Sequence, residues 1–328
     1  MSEDYNVRWF REEDLPAFID GLNSELWDEY DEKVYEWKFH KDPFNMGFTP
    51  IVVVEHKPTG EKVAFNSFLP LQIRRGRDVF LALQGCDGFV QREHRRRGLF
   101  QSALKFLLKE MKGRSPEILI GFNLAEAAGA ARKAGSESAF FVNKFLGNSS
   151  TLKGHAYGSR IKLKPIDLLE YHELYERWAA RSMMIHIHRT SSYLTWRVQR
   201  HPVRKSHPYR VMVDGETIGY VVVDVVKEDK NLAMTINDYT PKMLEKDFQE
   251  ILSRLLEEYP DADTVEFVAI NRSRLAYKAL ENGFKPLHEY DVIMMALNNT
   301  YQEKGSIFRG GLNVSDGRKW FITSSDIY

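Results

Sequence analysis

The sequence holds one cysteine, Cys86, so no disulfide can form within the chain. It also lacks a long apolar run. The nearest, "TIGYVVVDVV" at residues 217–226, is short, β-branched and broken by Asp224, as a strand would be; a membrane-spanning helix needs about eighteen apolar residues or more. The opening residues, "MSEDYNVRWFREED", have no apolar core of the kind a signal peptide requires, so the expectation is a cytoplasmic protein with no membrane partner. Charge of one sign is not in excess: 46 basic residues balance 46 acidic ones, which argues against a chain whose main partner is nucleic acid or a membrane surface. A basic cluster in such a chain is a local device.

At 328 residues the chain is about twice an ordinary domain length, and two domains are expected. Internal echoes support that division. Trp37-Lys38-Phe39-His40-Lys41-Asp42-Pro43 is answered by Trp196-Arg197-Val198-Gln199-Arg200-His201-Pro202. A hairpin-like pattern follows each, "IVVVEHKPTGEKVAFNSF" from Ile51 and "YRVMVDGETIGYVVVDVV" from Tyr209. Farther on, "ILIGFNLAEAAGAARKAGS" from Ile118 matches "VEFVAINRSRLAYKALENGF" from Val265. An apolar strand leads to Asn123 or Asn271, then a helical stretch, then Gly135 or Gly283. Three echoes in one order predict two units, residues 1–150 and 160–328, joined by the aperiodic, Gly- and Ser-rich residues 147–160. Each unit opens with a helical stretch, continues through hairpin strands and ends strand, helix, strand. That mixture predicts α/β with a mixed sheet.

The most informative stretch is "DGFVQREHRRRGLFQSALKFLLKEM", residues 87–111. Residues 79–91 carry one charge and read as a central strand; after them Leu99, Phe100, Ala103, Leu104, Leu107, Leu108 and Met111 recur at helical spacing, until Gly113 and Pro116 end the run. Residues 94–98 are therefore the turn between a strand's C-terminal end and a helix N-terminus, where ligands bind in open α/β sheets. Arg95, Arg96, Arg97 and Gly98 occupy it. The first turn of a helix offers free N–H donors and a partial positive charge, arginines add charge-assisted bonds, and a residue without Cβ lets the backbone approach closely. A diphosphate is the natural guest, a solvated basic surface the alternative. Nucleic acid fits poorly, since no aromatic residues interleave with the arginines.

Arg95-Arg96-Arg97-Gly98-Leu99-Phe100 resembles the Arg/Gln-x-x-Gly-x-Gly/Ala signature of the GCN5-related N-acetyltransferases, with Phe100 standing where that family usually has Gly or Ala. Residues 270–284, "INRSRLAYKALENGF", resemble its second signature: an Asn, a Tyr six residues on, and Gly-Phe. The resemblance covers nearly the whole chain as two such domains in tandem, each a mixed, mostly antiparallel sheet flanked by helices. It implies acetyl-CoA as co-substrate, no metal, and transfer of the acetyl group to a primary amine of a small molecule, amino sugars among the candidates. Arg95, Arg96, Arg97, Gly98, Leu99, Phe100 and Gln101 would hold the diphosphate, Phe89 and Val90 the pantetheine arm, and Asn123 would assist at the splayed strand end. The first unit keeps the diphosphate turn but has Gly129 and Ser136 where the second has Tyr277 and Phe284; the second has no Arg-x-x-Gly turn. Cofactor binding is therefore expected in the first unit. Tyr277 is expected to be a relic or an inward-facing structural residue.

Direct attack on a thioester requires that the acceptor ammonium lose a proton, so a carboxylate or a water chain is wanted nearby. Asp87 is the candidate catalytic residue. It acts either as that base or as a strand-end carboxylate that binds the ammonium or a neighbouring N–H. Cys86 reads as a small strand residue rather than a nucleophile. His186 and His188 fall on one face of a strand with no recognisable third ligand, so no metal is expected there. Trp37 and Trp196 read as core anchors. The tail "GRKWFITSSDIY", residues 317–328, is expected to pack as a final strand. The rival reading is a non-catalytic acyl-CoA-binding sensor or assembly module.

Overall fold

The computed structural model describes residues 3–26, 30–152, 160–228 and 231–327. Among the described residues three short strands, Thr300–Glu303, Ser306–Arg309 and Leu312–Asn313, make a small sheet of their own, and the alternating and β-branched runs form thirteen more: β1 (Tyr5–Trp9), β2 (Ile51–His56), β3 (Glu61–Arg75), β4 (Asp78–Val90), β5 (Ile118–Asn123), β6 (Glu137–Asn148), β7 (Ile161–Pro165), β8 (His186–Ile187), β9 (Ser206–Val213), β10 (Glu216–Glu228), β11 (Asn231–Tyr239), β12 (Thr264–Ile270) and β13 (Lys285–Ala296). They join into one sheet in the order β1-β2-β3-β4-β5-β13-β6-β12-β11-β10-β9-β7, with β8 paired to β3. Among the described residues, only β4–β5 and β11–β12 run parallel within it. The protein is a mixed α/β structure whose large, mostly antiparallel sheet is flanked by helices. No helix among the described residues is long and apolar enough to cross a membrane.

Besides β8, strand order departs from sequence order at β6 and β13. β6 follows the helix Ala125–Lys133, yet it pairs with β12; β13 follows the helix Arg274–Glu281, yet it pairs with β5. The two strands also pair with each other, so each completes the part of the sheet built by the other half of the chain. Backbone hydrogen bonds therefore run unbroken from one half to the other, and no polar strand edge is left buried between them. Packing reinforces the exchange. A Cβ on Gly147 of β6 would stand 2.6 Å from the ring of Phe284, so only glycine admits that ring. Across β6 and β13, Ser138 Oγ donates to Asp291 at 2.6 Å, and Arg132 pairs with the same carboxylate.

The repeated tryptophan motifs meet. Each occupies a short π-helical turn, Glu36–His40 and Thr195–Gln199. The rings of Trp37 and Trp196 stack at 4.7 Å, 15° from parallel, and each indole N–H donates to the other's carbonyl, at 2.9 and 2.6 Å. The reciprocity makes them core anchors that tie the halves together. Trp37→Ala is expected to destabilise the protein by about 3–5 kcal/mol in a denaturant titration, because it empties a buried aromatic volume, removes the stack on Trp196 and leaves the buried Trp196 carbonyl without its indole donor. A shift below about 1 kcal/mol would show that the halves hold without the stack.

Three expectations are corrected. The tail is not a strand: it forms two 3₁₀ turns, Gly317–Lys319 and Ser324–Asp326, with a single bridge from Trp320 to Ile185. Polar satisfaction rather than a ladder holds it, since Arg189, wholly buried, donates to Asp238, Asp326 and Thr323, and Gln84 donates to Asp326 O at 3.1 Å. Tyr277 does not face inward; it is 55% exposed, while Leu275, Ala276 and Ala279 fill the buried face of its helix. The connection at residues 147–160 begins as the end of β6 and a helical turn, Ser149–Leu152; residues 153–159 lie outside the described residues.

Candidate functional site

β4 and β5 are in register from Ala82–Ile118 to Gly85–Gly121 and then part. β4 continues to Val90 along β3, and β5 continues to Asn123 along β13. The β4 edge that faced β5 thus loses its partner beyond Gly85. At the same place β4 carries a bulge. Phe65 is opposite Phe89 but Ser67 is opposite Cys86, so β4 spends an extra residue, and Asp87 takes a left-handed φ of 34°. Bulge and splay open a cavity of about 330 Å³, whose wall includes Cys86, Asp87, Phe100, Leu104, Asn123 and, from the exchanged strand, Ile293.

The cavity's polar groups are few. Asn123 Oδ1 is buried with no hydrogen-bond partner, so the wall presents a free acceptor. Asp87 is buried, and its Oδ2 accepts from Lys38 Nζ at 2.6 Å; the two side chains are 1% and 7% exposed. The Tyr30 hydroxyl is buried beside Asp87, and burial first and that charge second hold its ionisation far above the usual phenol range. The Cys86 thiol is pushed up to about 12, chiefly by burial, and Ser67 Oγ lies 3.3 Å from its sulfur. A thiol so held is no nucleophile near neutral pH.

The basic turn forms as the local sequence predicts. The 3₁₀ turn Arg92–His94 follows β4, and the helix Leu99–Met111 is capped by Gly98 at φ 74°, a conformation that strains any residue with a Cβ. The first amide to bond back is Ser102 N, to Gly98 O at 3.0 Å, so the preceding first-turn amides have no acceptor within the helix. Arg95 differs from expectation. Its Nε donates to Val90 O at 3.0 Å and its guanidinium pairs with Glu25, so it braces the turn against the end of β4 and the helix Leu15–Glu25. Arg97 donates to Glu93 O at 3.3 Å.

Of the residues singled out from sequence, the cavity brings together Asp87, Phe100 and Asn123. Phe89 points the other way, against Phe65 and Gly21, so only its backbone is offered on the open side. Val90 and Leu99 pack into the core below the helix. Arg95, Arg96, Arg97, Gly98 and Gln101 lie on the turn beyond the cavity wall. Lys38, Tyr30, Ser67 and Tyr290 were missed. Lys38 had left a signal, since both echoes place a basic residue after the tryptophan, and its counterpart Arg197 is also buried, donating to Ser325 O at 3.1 Å.

The second half repeats the splay but not its chemistry. β11 and β12 part after Ile236 and Phe267, β11 is bulged, and its buried Asp238 is paired with Arg189 at 2.5 Å. Its helix begins Thr240-Pro241 with no glycine, and Pro241 lacks the amide that an anion would need. The cavity there, about 550 Å³, is walled by the tail residues Trp320, Phe321 and Ile322. His186 and His188 are engaged rather than clustered: His186 meets Met184 O and the Tyr175 hydroxyl, and His188 meets Arg74 and Gln72. Burial first, and Arg189 or Arg74 next, push them down to about 3 and about 4, so both are neutral at pH 7.

A parallel strand pair that splays over a cavity, with a glycine-capped helix after the first strand, is the geometry of the GCN5-related N-acetyltransferase fold, and solved structures bear this out. The chain is similar to a GCN5-related N-acetyltransferase from Anabaena variabilis over 90% of its length and 73% of that chain, with TM-score 0.66 and 14% identity. It is similar to a conserved protein from Enterococcus faecalis described as a probable N-acyltransferase, over 89% and 72%, with TM-score 0.64 and 11% identity. It is also similar to Saccharomyces cerevisiae N-myristoyltransferase with bound myristoyl-CoA, over 100% and 86%, with TM-score 0.62 and 14% identity. No protein-family model and no curated protein sequence matches. The chain has the GCN5-related N-acetyltransferase fold.

Proposed function

We propose that the chain is an acyltransferase that moves an acetyl group from acetyl-CoA to a primary amine of a small molecule. One observation carries the reading: β4 and β5 part over a cavity, and the same strand runs on into a basic, glycine-capped helix start. The diphosphate rests on the first-turn amides at residues 98–101 with Arg96 and Arg97 beside them, and Arg95 braces the turn. The pantetheine arm follows the unpaired edge of β4 past Val90 and Phe89, and Asn123 Oδ1 accepts one of its amide N–H groups. We assign this site to residues 1–150 and treat residues 160–328 as a second unit that lends β13 to the cavity.

Chemistry then requires an amine and a thioester held together, with the attacking nitrogen neutral. Asp87 is the carboxylate at hand, and its bond to Lys38 decides its role. One oxygen already accepts from an ammonium, so it holds a substrate ammonium or takes its proton through the other. Neutralisation of Asp87 by Lys38 is also the observation that favours the second reading, a protein that binds acyl-CoA without turnover.

The test is thiol release. With acetyl-CoA and a panel of amino sugars, polyamines and amino acids, at least one acceptor is expected to liberate free CoA above the hydrolysis rate. Saturable binding of acetyl-CoA with no release across the panel would favour the binding module. No binding at all would end both readings. Longer acyl-CoAs belong in the same assay, because Phe68, Leu104, Leu119 and Ile293 give the cavity an apolar floor.

A further inference from the structure

We propose that His56, Glu61 and His94 form a site for one divalent transition metal, zinc above others, where the sheet's outer edge meets the basic turn. The strands assemble two of the ligands. Tyr5 of β1 is directly opposite His56 of β2, and His56 is directly opposite Glu61 of β3. Residues paired in this way face the same side of an antiparallel sheet, with Cβ atoms about 4.5–5.5 Å apart. His94 ends the Arg92–His94 turn and brings its ring to 5.0 Å from that of His56. One ligand atom from each of the three lies within 4.8 Å of the other two.

The outer partners point the same way. His94 Nδ1 lies 2.9 Å from the hydroxyl of Tyr5, which is itself buried. His56 Nδ1 lies 2.9 Å from Thr59 Oγ1, whose hydroxyl donates to Glu61 at 2.9 Å. A metal-binding imidazole is oriented by a hydrogen bond on its other nitrogen, and here both rings have Nδ1 so engaged, which leaves Nε2 for an ion. Two imidazoles and one carboxylate suit zinc with water in the fourth position; calcium and magnesium prefer all-oxygen shells. An ion there would clamp β1, β2 and β3 to the residue that precedes Arg95. The role is structural, and it does not depend on the acyl-CoA reading.

Zinc titrated into the full chain against a chromophoric chelator tests this, with cobalt(II) absorption as a second readout. One ion per chain is expected, with the dissociation constant at or below about 10 μM; His56→Ala and His94→Ala should each weaken binding at least about 10-fold. His172→Ala, far from the cluster, should leave it unchanged. Glu61→Gln, at an exposed position, should weaken zinc without altering the metal-free melting temperature, which keeps the test valid should a histidine variant fold poorly. Saturating zinc should raise the melting temperature of the parent chain but not of His56→Ala. The proposal fails if no zinc binds at about 100 μM, or if stoichiometric binding survives in the His56→Ala/His94→Ala double variant.

Discussion

Acetyl-CoA binding is expected to weaken by about 30- to 150-fold when Arg95 and Arg97 are changed together to alanine, while the fold is retained. The magnitude follows from the loss of one charge-assisted contact at Arg97 and of the Arg95 brace that shapes the turn, each worth about 1–1.5 kcal/mol, or about 2–3 kcal/mol together. The two side chains act differently. Arg97 adds charge beside the turn, whereas Arg95 holds its shape through Val90 O and Glu25. Stability should hardly change, because the Arg95 side chain is 50% exposed and a pair of that kind contributes less than about 1 kcal/mol. Isothermal titration of the double variant beside a thermal melt separates the two quantities. Unchanged affinity in a folded double variant would move the diphosphate elsewhere.

Asp87→Asn is expected to cost about 3 kcal/mol of stability as well as acetyl transfer. The substitution takes the Asp87 carboxylate away from the buried Lys38 ammonium, and breaking one side of a buried pair costs about 3–5 kcal/mol. Activity of Asp87→Asn alone would therefore confuse a lost base with a disturbed site. Adding Lys38→Met removes that ammonium, so Asp87→Asn/Lys38→Met should regain most of the stability. If Asp87 binds or deprotonates the acceptor, the double variant stays inactive despite the recovered melt. If turnover returns with stability, Asp87 serves only to neutralise Lys38. An Asp87→Asn midpoint equal to that of the parent would refute the buried-pair argument.

Local chemistry made part of the protein readable in advance. The helix over Leu99–Met111 and the strand before it lie where apolar spacing puts them, because 3.6- and 2-residue periods record which face is buried. Gly98 was legible as a residue whose missing Cβ leaves the backbone open at the helix start, and its φ of 74° is a second reason for glycine that only the structure shows. The Asp87–Lys38 pair was not legible. Its members are 49 positions apart, and nothing in either neighbourhood announces the other. Nor was there a sign in the sequence that Arg95 pairs with Glu25, on a distant helix. Tyr277 sat in a recognisable pattern, yet its helix turns that side to solvent. Residues 317–328 looked like a strand, but the buried Arg189 bonds to Asp326 as well as to Asp238, and a turn at Ser324–Asp326 brings Asp326 to it.

The amino-acid sequence by itself determined the α/β class, the strand that ends near residue 90 and the basic turn that leads from it into the helix Leu99–Met111, since each depends on neighbouring residues and on patterns a few positions long. Tertiary structure alone decided that β6 and β13 trade places, that Trp37 stacks on Trp196, that Asp87 carries a lysine, and that the tail walls the second cavity. Those outcomes turn on which distant surfaces lose water together, and free energy of that kind is a property of pairs that no local stretch contains.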